Sequence, residues 1–189
     1  MKRLTGSNMK KTGYVVFLRG VNVGGKNIIK MDELKKIFEE LKFTEVKTYI
    51  QSGNIIFNDY EKDKTKLVKN IDKKLYKKLN TKVNIAILTF PEFKEIIDKK
   101  PKGFGDADEK KYDVIYLTEP LKANDALKEI KTREGVDEIF KGKNVLYISR
   151  KKESLAKSYL SKIIETPVYQ NITIRNWNTT KKIYDLMNL

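Results

Sequence analysis

The sequence Tyr14-Val-Val-Phe-Leu-Arg-Gly-Val-Asn-Val-Gly-Gly-Lys26 joins an apolar segment to a glycine-rich loop. Its five consecutive apolar residues, Tyr14 to Leu18, predict a strand that is buried on both faces. Arg19 follows the strand directly. The loop that comes next offers backbone N–H groups and a lysine, a combination that suits an anion. This segment therefore predicts a buried strand that leads into a candidate anion loop.

The chain after this loop alternates helical and strand patterns. We predict a helix on Leu34, Ile37, Phe38 and Leu41, strands Val46–Ile50 and Ile55–Phe57 around the turn Gln51–Asn54, a helix Lys62–Leu79 and a strand Val83–Leu88. This β-α-β-β-α-β order is typical of the ferredoxin-like fold, also called the α/β plait. Thr89 and Glu92 then have the spacing of a capping box, which predicts one more short helix.

The same order of elements recurs after residue 111. We predict a strand Tyr112–Leu117, a helix Leu121–Ile130, a hairpin of Val136–Phe140 and Val145–Ser149, a helix Ser154–Ile164, a strand Ile172–Arg175 and a last helix capped by Asn178. The predicted fold class is α+β, with two tandem ferredoxin-like halves (13–99 and 112–189) packed as one compact body with a C-terminal helix. Residues 100–111 form the predicted linker. Residues 1–12 lack any periodic pattern and are predicted to be a tail that is disordered or was added by cloning.

The composition excludes several classes of function. The chain contains no cysteine and no histidine, which rules out thiol nucleophiles, histidine bases and zinc sites built on these residues. We predict no metal and no cofactor. No run of about 18 apolar residues and no signal sequence is present, so we expect a cytoplasmic protein without a membrane partner.

The net charge of +15 is unevenly distributed. Residues 1–90 hold 20 Lys and Arg against 9 Asp and Glu, whereas residues 91–189 hold 20 against 16. A basic half is typical of proteins that contact a polyanion. A lysine-rich composition with solvated helix faces explains the same numbers, because 35 of the 40 basic residues are lysine.

The few arginines are more informative than the lysines. Arg19, Arg150 and Arg175 each stand at the C-terminal end of a predicted strand. The planar guanidinium group binds phosphate or carboxylate through two parallel hydrogen bonds, which a lysine cannot do. Structural pairing with a carboxylate of the protein is an equally good explanation.

These observations predict an anion site around the first loop. Gly20 to Lys26 has the spacing of a P-loop, but Asn27 replaces the magnesium-binding Ser or Thr and the helix starts too late, so we do not predict an NTPase. A non-catalytic anion loop and a purely structural turn both remain open. A second anion contact is predicted at Arg175 and the start of the last helix, although Trp177 also suits a core position and Asn178 a helix cap. The full candidate set is Arg19, Asn22, Gly24, Gly25, Lys26, Arg150, Arg175, Asn176, Trp177, Asn178 and Thr179.

The turn Gln51–Asn54 is not expected to join this site. We expect the first and third strands of the plait to run parallel, which would place the loop after Leu18 and this turn at opposite ends of the sheet. Ser52, Gly53 and Asn54 are therefore interpreted as hairpin residues, with Gly53 or Asn54 taking a positive φ angle.

Two alternatives to a small anionic ligand stay open. The first is non-specific nucleic-acid binding through a lysine stripe on the second helix, made of Lys62, Lys66, Lys69, Lys73 and Lys77. A sheet-stacked RNA is not supported, because Ser52 to Phe57 lacks the required aromatics. The second alternative is a hydrolase or transferase that uses carboxylates and a hard metal such as Mg²⁺, for which no clustered Asp/Glu motif is present.

Four motifs together carry a family resemblance. They are Leu-Arg-Gly-Val-Asn-Val-Gly-Gly-Lys at 18–26, Met31-x-x-Leu34, Thr-Tyr-Ile-Gln-Ser-Gly-Asn at 48–54 and Arg-Asn-Trp-Asn-Thr at 175–179. In this order, and from about Tyr14 to the C-terminus, the chain resembles the bacterial domain-of-unknown-function family 1697. The resemblance implies a two-part α+β fold of plait type and a cytoplasmic bacterial protein. It implies no activity and no catalytic residues.

Overall fold

The eight strands that we describe form two four-stranded antiparallel sheets, one in each half of the chain. The structure is a computed structural model and describes residues 10–25 and 27–188. The first half contains β1 (Thr12–Arg19), α1 (Met31–Glu40), β2 (Thr44–Tyr49), β3 (Asn54–Asp59), α2 (Lys64–Leu79), β4 (Asn84–Thr89) and α3 (Phe90–Asp98). The second contains β5 (Lys110–Leu117), α4 (Ala123–Glu129), β6 (Asp137–Lys141), β7 (Val145–Lys151), β8 (Ile172–Asn176) and α5 (Trp177–Met187). The sheet orders β2-β3-β1-β4 and β6-β7-β5-β8 are those of the ferredoxin-like plait, which confirms the predicted fold class.

The central strands of the first sheet run antiparallel, and our expectation of a parallel pair was wrong. Phe17 of β1 lies opposite Asn54 of β3, and Tyr14 lies opposite Phe57. The reason is the order of connections: α1 returns the chain so that β2 runs in the direction of β1, and the hairpin then reverses β3. The loop after β1 and the turn before β3 are therefore at the same end of the sheet. The backbone N–H of Leu18 donates to the carbonyl oxygen of Gly53 at 2.8 Å.

The helix starts follow from local hydrogen bonds. The side chain of Asp63 accepts from the backbone N–H groups of Thr65 and Lys66 and caps α2. The predicted capping box of Thr89 and Glu92 is confirmed at the start of α3. Such caps satisfy N–H groups that the first turn of a helix leaves without partners, so α2 and α3 each begin at a defined residue.

Three apolar clusters form the core, one within each half and one between the halves. One lies between the first sheet and the helices α1 and α2. A second lies between the second sheet and α4 with the segment that follows β7. The third joins both sheets to α3 and α5, and within it the rings of Phe17 and Tyr116 lie 4.3 Å apart. Each half thus covers the open sheet face of the other, so the two halves form one compact body.

The edge strands of the two sheets also meet. β4 and β8 each end one sheet, and they lie side by side. Thr173 donates through its hydroxyl to Oδ1 of Asn84 at 3.0 Å, and Nδ2 of Asn84 donates to the carbonyl oxygen of Gln170 at 2.7 Å. The contact between the halves is therefore polar at this edge and apolar between the faces.

The second half departs from the prediction between β7 and β8. The predicted helix Ser154–Ile164 is wrong, because three short 3₁₀ segments, Lys152–Lys157, Tyr159–Glu165 and Pro167–Asn171, occupy this part of the chain. Ser158 has an extended backbone between the first two segments, and Thr166 is extended before Pro167, as the residue before a proline prefers. The buried pair Leu160 and Ile163 has the three-residue spacing that places side chains on one side of a 3₁₀ turn.

No helix among the described residues is long and apolar enough to cross a membrane. Of the predicted tail, residues 1–9 lie outside the described residues, and Thr12 is the first residue of β1. The division of the chain at residues 100–111 stays a prediction.

Candidate functional site

Three segments that are distant in sequence meet at one end of the first sheet. They are the loop after β1, the turn 50–53 between β2 and β3, and the end of β8. The antiparallel pairing of β1 and β3 brings the first two together, and the packing of the halves adds the third. Each segment carries one of the motifs of the predicted family resemblance.

Arg175 of β8 connects the halves through backbone and amide oxygens. Its side chain lies against the ring of Phe17, and the residue is only 8% exposed. Nη2 donates to the carbonyl oxygens of Leu18 and Ser52, both at 2.7 Å, and Nε donates to Oδ1 of Asn54. Burial lowers the pKa of the guanidinium to about 10, against the opposing effect of the nearby Tyr116. Within residues 10–25 and 27–188 no carboxylate pairs with this cation.

The turn before β3 is shaped by Gly53 and Asn54. Gly53 has φ +71°, and a Cβ atom there would meet Val21 Cγ2 at 2.7 Å and Leu18 Cβ at 2.9 Å. Only glycine lets the turn approach the end of β1 this closely. Nδ2 of Asn54 donates to the carbonyl oxygen of Tyr49 and to Oγ of Ser52, both at 2.9 Å. Asn54 thus holds the turn and presents its oxygen to Arg175.

Asn22 closes the loop after β1. Its Oδ1 accepts from the backbone N–H of Ile29 at 2.8 Å, and its Nδ2 donates to the carbonyl oxygens of Ile29 and Gln51 at 3.0 and 2.9 Å. Asn27 strengthens the same loop by donating to the carbonyl oxygen of Gly20 at 2.7 Å. The amide of Asn22 is committed to these bonds, so it shapes the loop.

Arg19 points from the end of β1 toward the second half. Its guanidinium stacks on the ring of Tyr169 at 4.4 Å, and Nη2 donates to the carbonyl oxygen of Gln170 at 3.1 Å. Like Arg175, it forms no ion pair with a carboxylate in the described part of the chain. Arg19 remains the more accessible of the two, because its side chain is only partly buried.

A surface pocket of about 530 Å³ lies between these groups. Its walls come from both halves: the loop after β1, the turn 50–52, and Ile164, Tyr169, Ile174 and Arg175 of the second half. Both arginines line it. Three aliphatic side chains at its rim are exposed: Val23 (65%), Ile164 (60%) and Ile50 (48%). The pocket therefore combines cationic and apolar surface.

The rest of the first predicted loop lies nearby. Gly24 and Gly25 are exposed residues of the same loop, and Lys26 lies outside the described residues. The structure brings Arg19, Asn22 and Arg175 to one pocket, as lining groups.

Arg150 is not part of this pocket. Its Nη2 donates to Oδ2 of Asp113 at 2.7 Å, and the two side chains are only 12% and 6% exposed. This is the structural pairing that the sequence left open for a strand-end arginine.

The start of α5 also lies apart from the first loop. Asn176, not Asn178 as predicted, caps the helix by accepting from the backbone N–H of Asn178. Trp177 is buried against Phe104, with ring centroids 5.3 Å apart. Asn176, Trp177 and Asn178 line a second pocket of about 430 Å³ with Lys110, Lys111 and Lys152, and the partly buried Thr179 follows them in α5. The predicted anion set is thus divided between the two pockets, and Arg150 lies in neither lining.

The lysine stripe of the second helix is exposed at all five positions. Lys66 pairs with Glu61 at 3.4 Å, and Lys62, Lys69, Lys73 and Lys77 form no ion pair within the described chain. Two other lysines of α2 form ion pairs with carboxylates of α1: Lys74 pairs with Glu40 and Lys78 pairs with Glu33. The stripe is a separate surface from the pocket.

Sequence reasoning missed three lining groups. Gln51 and Ser52 were assigned to hairpin chemistry because the strand direction was wrong, and Tyr169 carried no recognisable motif. An aromatic residue two positions from a proline is too common a pattern to indicate a partner for Arg19. The described residues also contain no group of three or more Asp, Glu, His or Cys side chains placed to hold a metal ion.

Comparisons with known proteins agree with this architecture. A family model described as "Protein of unknown function (DUF1697)" matches residues 11–147. Among solved structures, that of the conserved bacterial protein SP0830 from Streptococcus pneumoniae is similar, with 26% sequence identity and a TM-score of 0.83. The alignment covers 94% of this chain and 99% of that one. No curated protein matches the chain.

Proposed function

The chain belongs to the DUF1697 family, as the motifs predicted, and because the description of that family names no activity, we propose a function from the geometry. The protein is a binding module that holds a small anionic ligand, carrying a phosphate or carboxylate group, in the pocket beside Arg19. The observation that supports this proposal is the pair of arginines that line the pocket and have no carboxylate partner among the described residues.

The positive charge of Arg175 is buried and has no neutralising carboxylate among the described residues. A buried cation is costly unless an anion or several dipoles replace its hydration shell. Arg150 meets this need with Asp113, whereas the partners of Arg175 in the described part of the chain are neutral oxygens. An anion in the pocket would feel both positive charges at short range, and Arg19 could bind it through two hydrogen bonds. The pocket volume lies in the range of small-molecule sites.

Thermal unfolding in the presence of simple anions tests the proposal. Inorganic phosphate, sulfate and acetate at 1–50 mM, against chloride at equal ionic strength, should raise Tm in a saturable way; a ligand at about 100 times its Kd contributes about 2.7 kcal/mol. Arg19→Met should abolish the shift while keeping the stem over Tyr169. Lys122 is an exposed residue of the second half, and Lys122→Met is the control that removes one positive charge elsewhere. This variant should show the same Tm shift as the wild type. Equal shifts in wild type and Arg19→Met would overturn the proposal.

A second candidate function is non-specific nucleic-acid contact through α2. The supporting observation is that Lys69, Lys73 and Lys77 of α2 are exposed, as is Lys62 just before the helix. These four lysines form no ion pair in the described residues, unlike Lys74 and Lys78. Successive lysines four residues apart stand about 6 Å apart along a helix, close enough to follow a phosphate backbone.

Salt-dependent binding separates this candidate from the first. Wild-type protein should bind mixed-sequence DNA or RNA with an affinity that falls steeply between 50 and 200 mM salt. Replacing Lys66, Lys69 and Lys73 with Glu should remove that binding and leave the phosphate-induced Tm shift unchanged. Charge reversal at Lys122 and Lys128 of α4 is the control. If it weakens binding as much as the triple change on α2, net charge alone is responsible and α2 is not the contact surface.

A further inference from the structure

Ile50 has an unusual backbone conformation at the rim of the candidate pocket. Its φ angle is +48°, a left-handed conformation that is unfavourable for any side chain and most unfavourable for a β-branched one. Its side chain is also 48% exposed and lines the pocket. An asparagine or glycine at this turn position would be less strained and would expose no aliphatic surface.

Ile50 is not alone. Val23 on the neighbouring loop and Ile164 on the second half face the same pocket and are 65% and 60% exposed. Single exposed aliphatic residues are common on protein surfaces and need no explanation. Three around one pocket, one of them held in a strained backbone, indicate surface that a ligand covers.

The polar lining is sparse by comparison. Besides the two arginines, the side chains that could bind a ligand by hydrogen bonds are those of Gln51, Ser52, Asn22 and Tyr169. Asn22 already bonds Ile29 and Gln51. A polyphosphate needs many donors along its length. A ligand with one acidic group and an apolar body fits this lining better.

We propose that the pocket binds an amphipathic anion, whose acidic group lies at Arg19 and whose aliphatic or aromatic body lies against Ile50, Val23 and Ile164. This inference rests on the proposed anion site and adds the chemical class of its ligand. Ile50 then selects for the apolar body, and its strained conformation holds the side chain where the ligand meets it.

Matched pairs of ligands test the class directly. Binding of acetate, butyrate and hexanoate, and of inorganic, ethyl and hexyl phosphate, is measured by calorimetry or by NMR titration of the whole chain. Each buried methylene should tighten binding by about fourfold, in the carboxylate series, the phosphate series or both, and the tighter series identifies the acidic group. Simple anions that bind without any chain-length effect would overturn this inference and leave the anion site standing. No binding by either series would overturn both.

A substitution at Ile50 gives an independent test. Ile50→Asn should relieve the backbone strain and raise Tm by about 2–4 °C. It should also weaken the binding of hexanoate or hexyl phosphate by about tenfold and leave the binding of acetate and inorganic phosphate unchanged. Ile28→Asn is the matched control: Ile28 is 71% exposed, lies outside the pocket lining and has no positive φ angle. It should change neither stability nor chain-length dependence. If Ile50→Asn and Ile28→Asn behave alike, Ile50 does not contact the ligand and the inference fails.

Discussion

Arg175 and Asn54 are 121 residues apart in the chain, and Nε of the arginine donates a hydrogen bond to Oδ1 of the asparagine. The bond links a strand of the second half to the turn of the first, beside the candidate pocket that Arg175 lines. Together with the bonds from Nη2 to Leu18 and Ser52, it makes Arg175 a structural clamp that also places positive charge beside the pocket.

Arg175→Met should destabilise the protein strongly. The substitution keeps the apolar stem but leaves the oxygens of Leu18, Ser52 and Asn54 without this donor in a buried place, for which we expect a loss of about 3 kcal/mol in the free energy of unfolding. Urea denaturation measures it. Arg19→Met, which removes one bond at an exposed position, should cost less than about 1 kcal/mol. Equal costs for the two would show that Arg175 is not a clamp.

Gly53→Ala tests the close approach of the turn to β1. Its Cβ would lie 2.7 Å from Val21 Cγ2 in a backbone with φ +71°, whereas Gly103, with φ +74°, has no atom within 4 Å of the same position. Gly103→Ala should therefore cost only the conformational strain, about 1 kcal/mol. Gly53→Ala should cost about 3 kcal/mol, because the overlap adds to the strain. Similar losses in the two variants would mean that the turn moves away without penalty.

Arg150 and Asp113 form a buried ion pair. Replacing one partner should lower the free energy of unfolding more than replacing both. Arg150→Leu leaves the carboxylate of Asp113 buried and unpaired, and should cost about 3–5 kcal/mol. Arg150→Leu combined with Asp113→Leu should recover most of that loss. Neither variant should alter the anion-dependent Tm shift, since the pair lies outside the pocket. A double variant no more stable than Arg150→Leu would contradict this explanation.

Alkaline pH should weaken the contact between the halves. Burial raises the pKa of Tyr147 to about 12, and burial also raises the pKa of Tyr116, despite its hydrogen bond with Thr180. In the unfolded chain these phenols lose their protons near pH 10, so above that pH the unfolded state binds fewer protons than the folded state. Stability is full below about pH 10 and falls as pH rises toward 12, by about 1.4 kcal/mol per pH unit for each tyrosine.

Chemical denaturation between pH 9 and 11.5 measures this slope. Tyr147→Phe should make it shallower by the contribution of one tyrosine. Tyr60→Phe, at a position 51% exposed, should leave it unchanged. A slope that does not depend on Tyr147 would assign the alkaline loss to other groups.

Much of the fold could be predicted because the core residues recur with regular spacing. Leu34, Ile37 and Phe38 indicated α1, and Thr89 with Glu92 indicated α3. The helix predicted for Ser154–Ile164 failed since its apolar spacing is shared by helices and 3₁₀ turns, and the extended backbones of Ser158 and Thr166 decide between them. Those conformations depend on packing against the second sheet.

The site was predictable only in part. The position of Arg19 at a strand end could be inferred from the sequence, and anion binding by the loop that follows stays a prediction. The partners of Arg175 could not be inferred, because three are the backbone carbonyl oxygens of Leu18, Ser52 and Ile174 and the fourth is an asparagine distant in sequence. The strained backbone of Ile50 leaves no signal in the sequence, since its neighbours read as an ordinary strand that ends in a turn.

The side-by-side position of β4 and β8 bears on how the chain avoids aggregation. A free sheet edge is a template on which a second molecule can add a strand, and here each half shields one such edge of the other, with Asn84 bonded to Thr173 and Gln170 across the join. A fragment with a single plait would bare both that edge and an apolar face. We therefore expect the two halves to depend on each other for solubility as well as for stability. A chain cut between them should give fragments that aggregate, not two small folded domains.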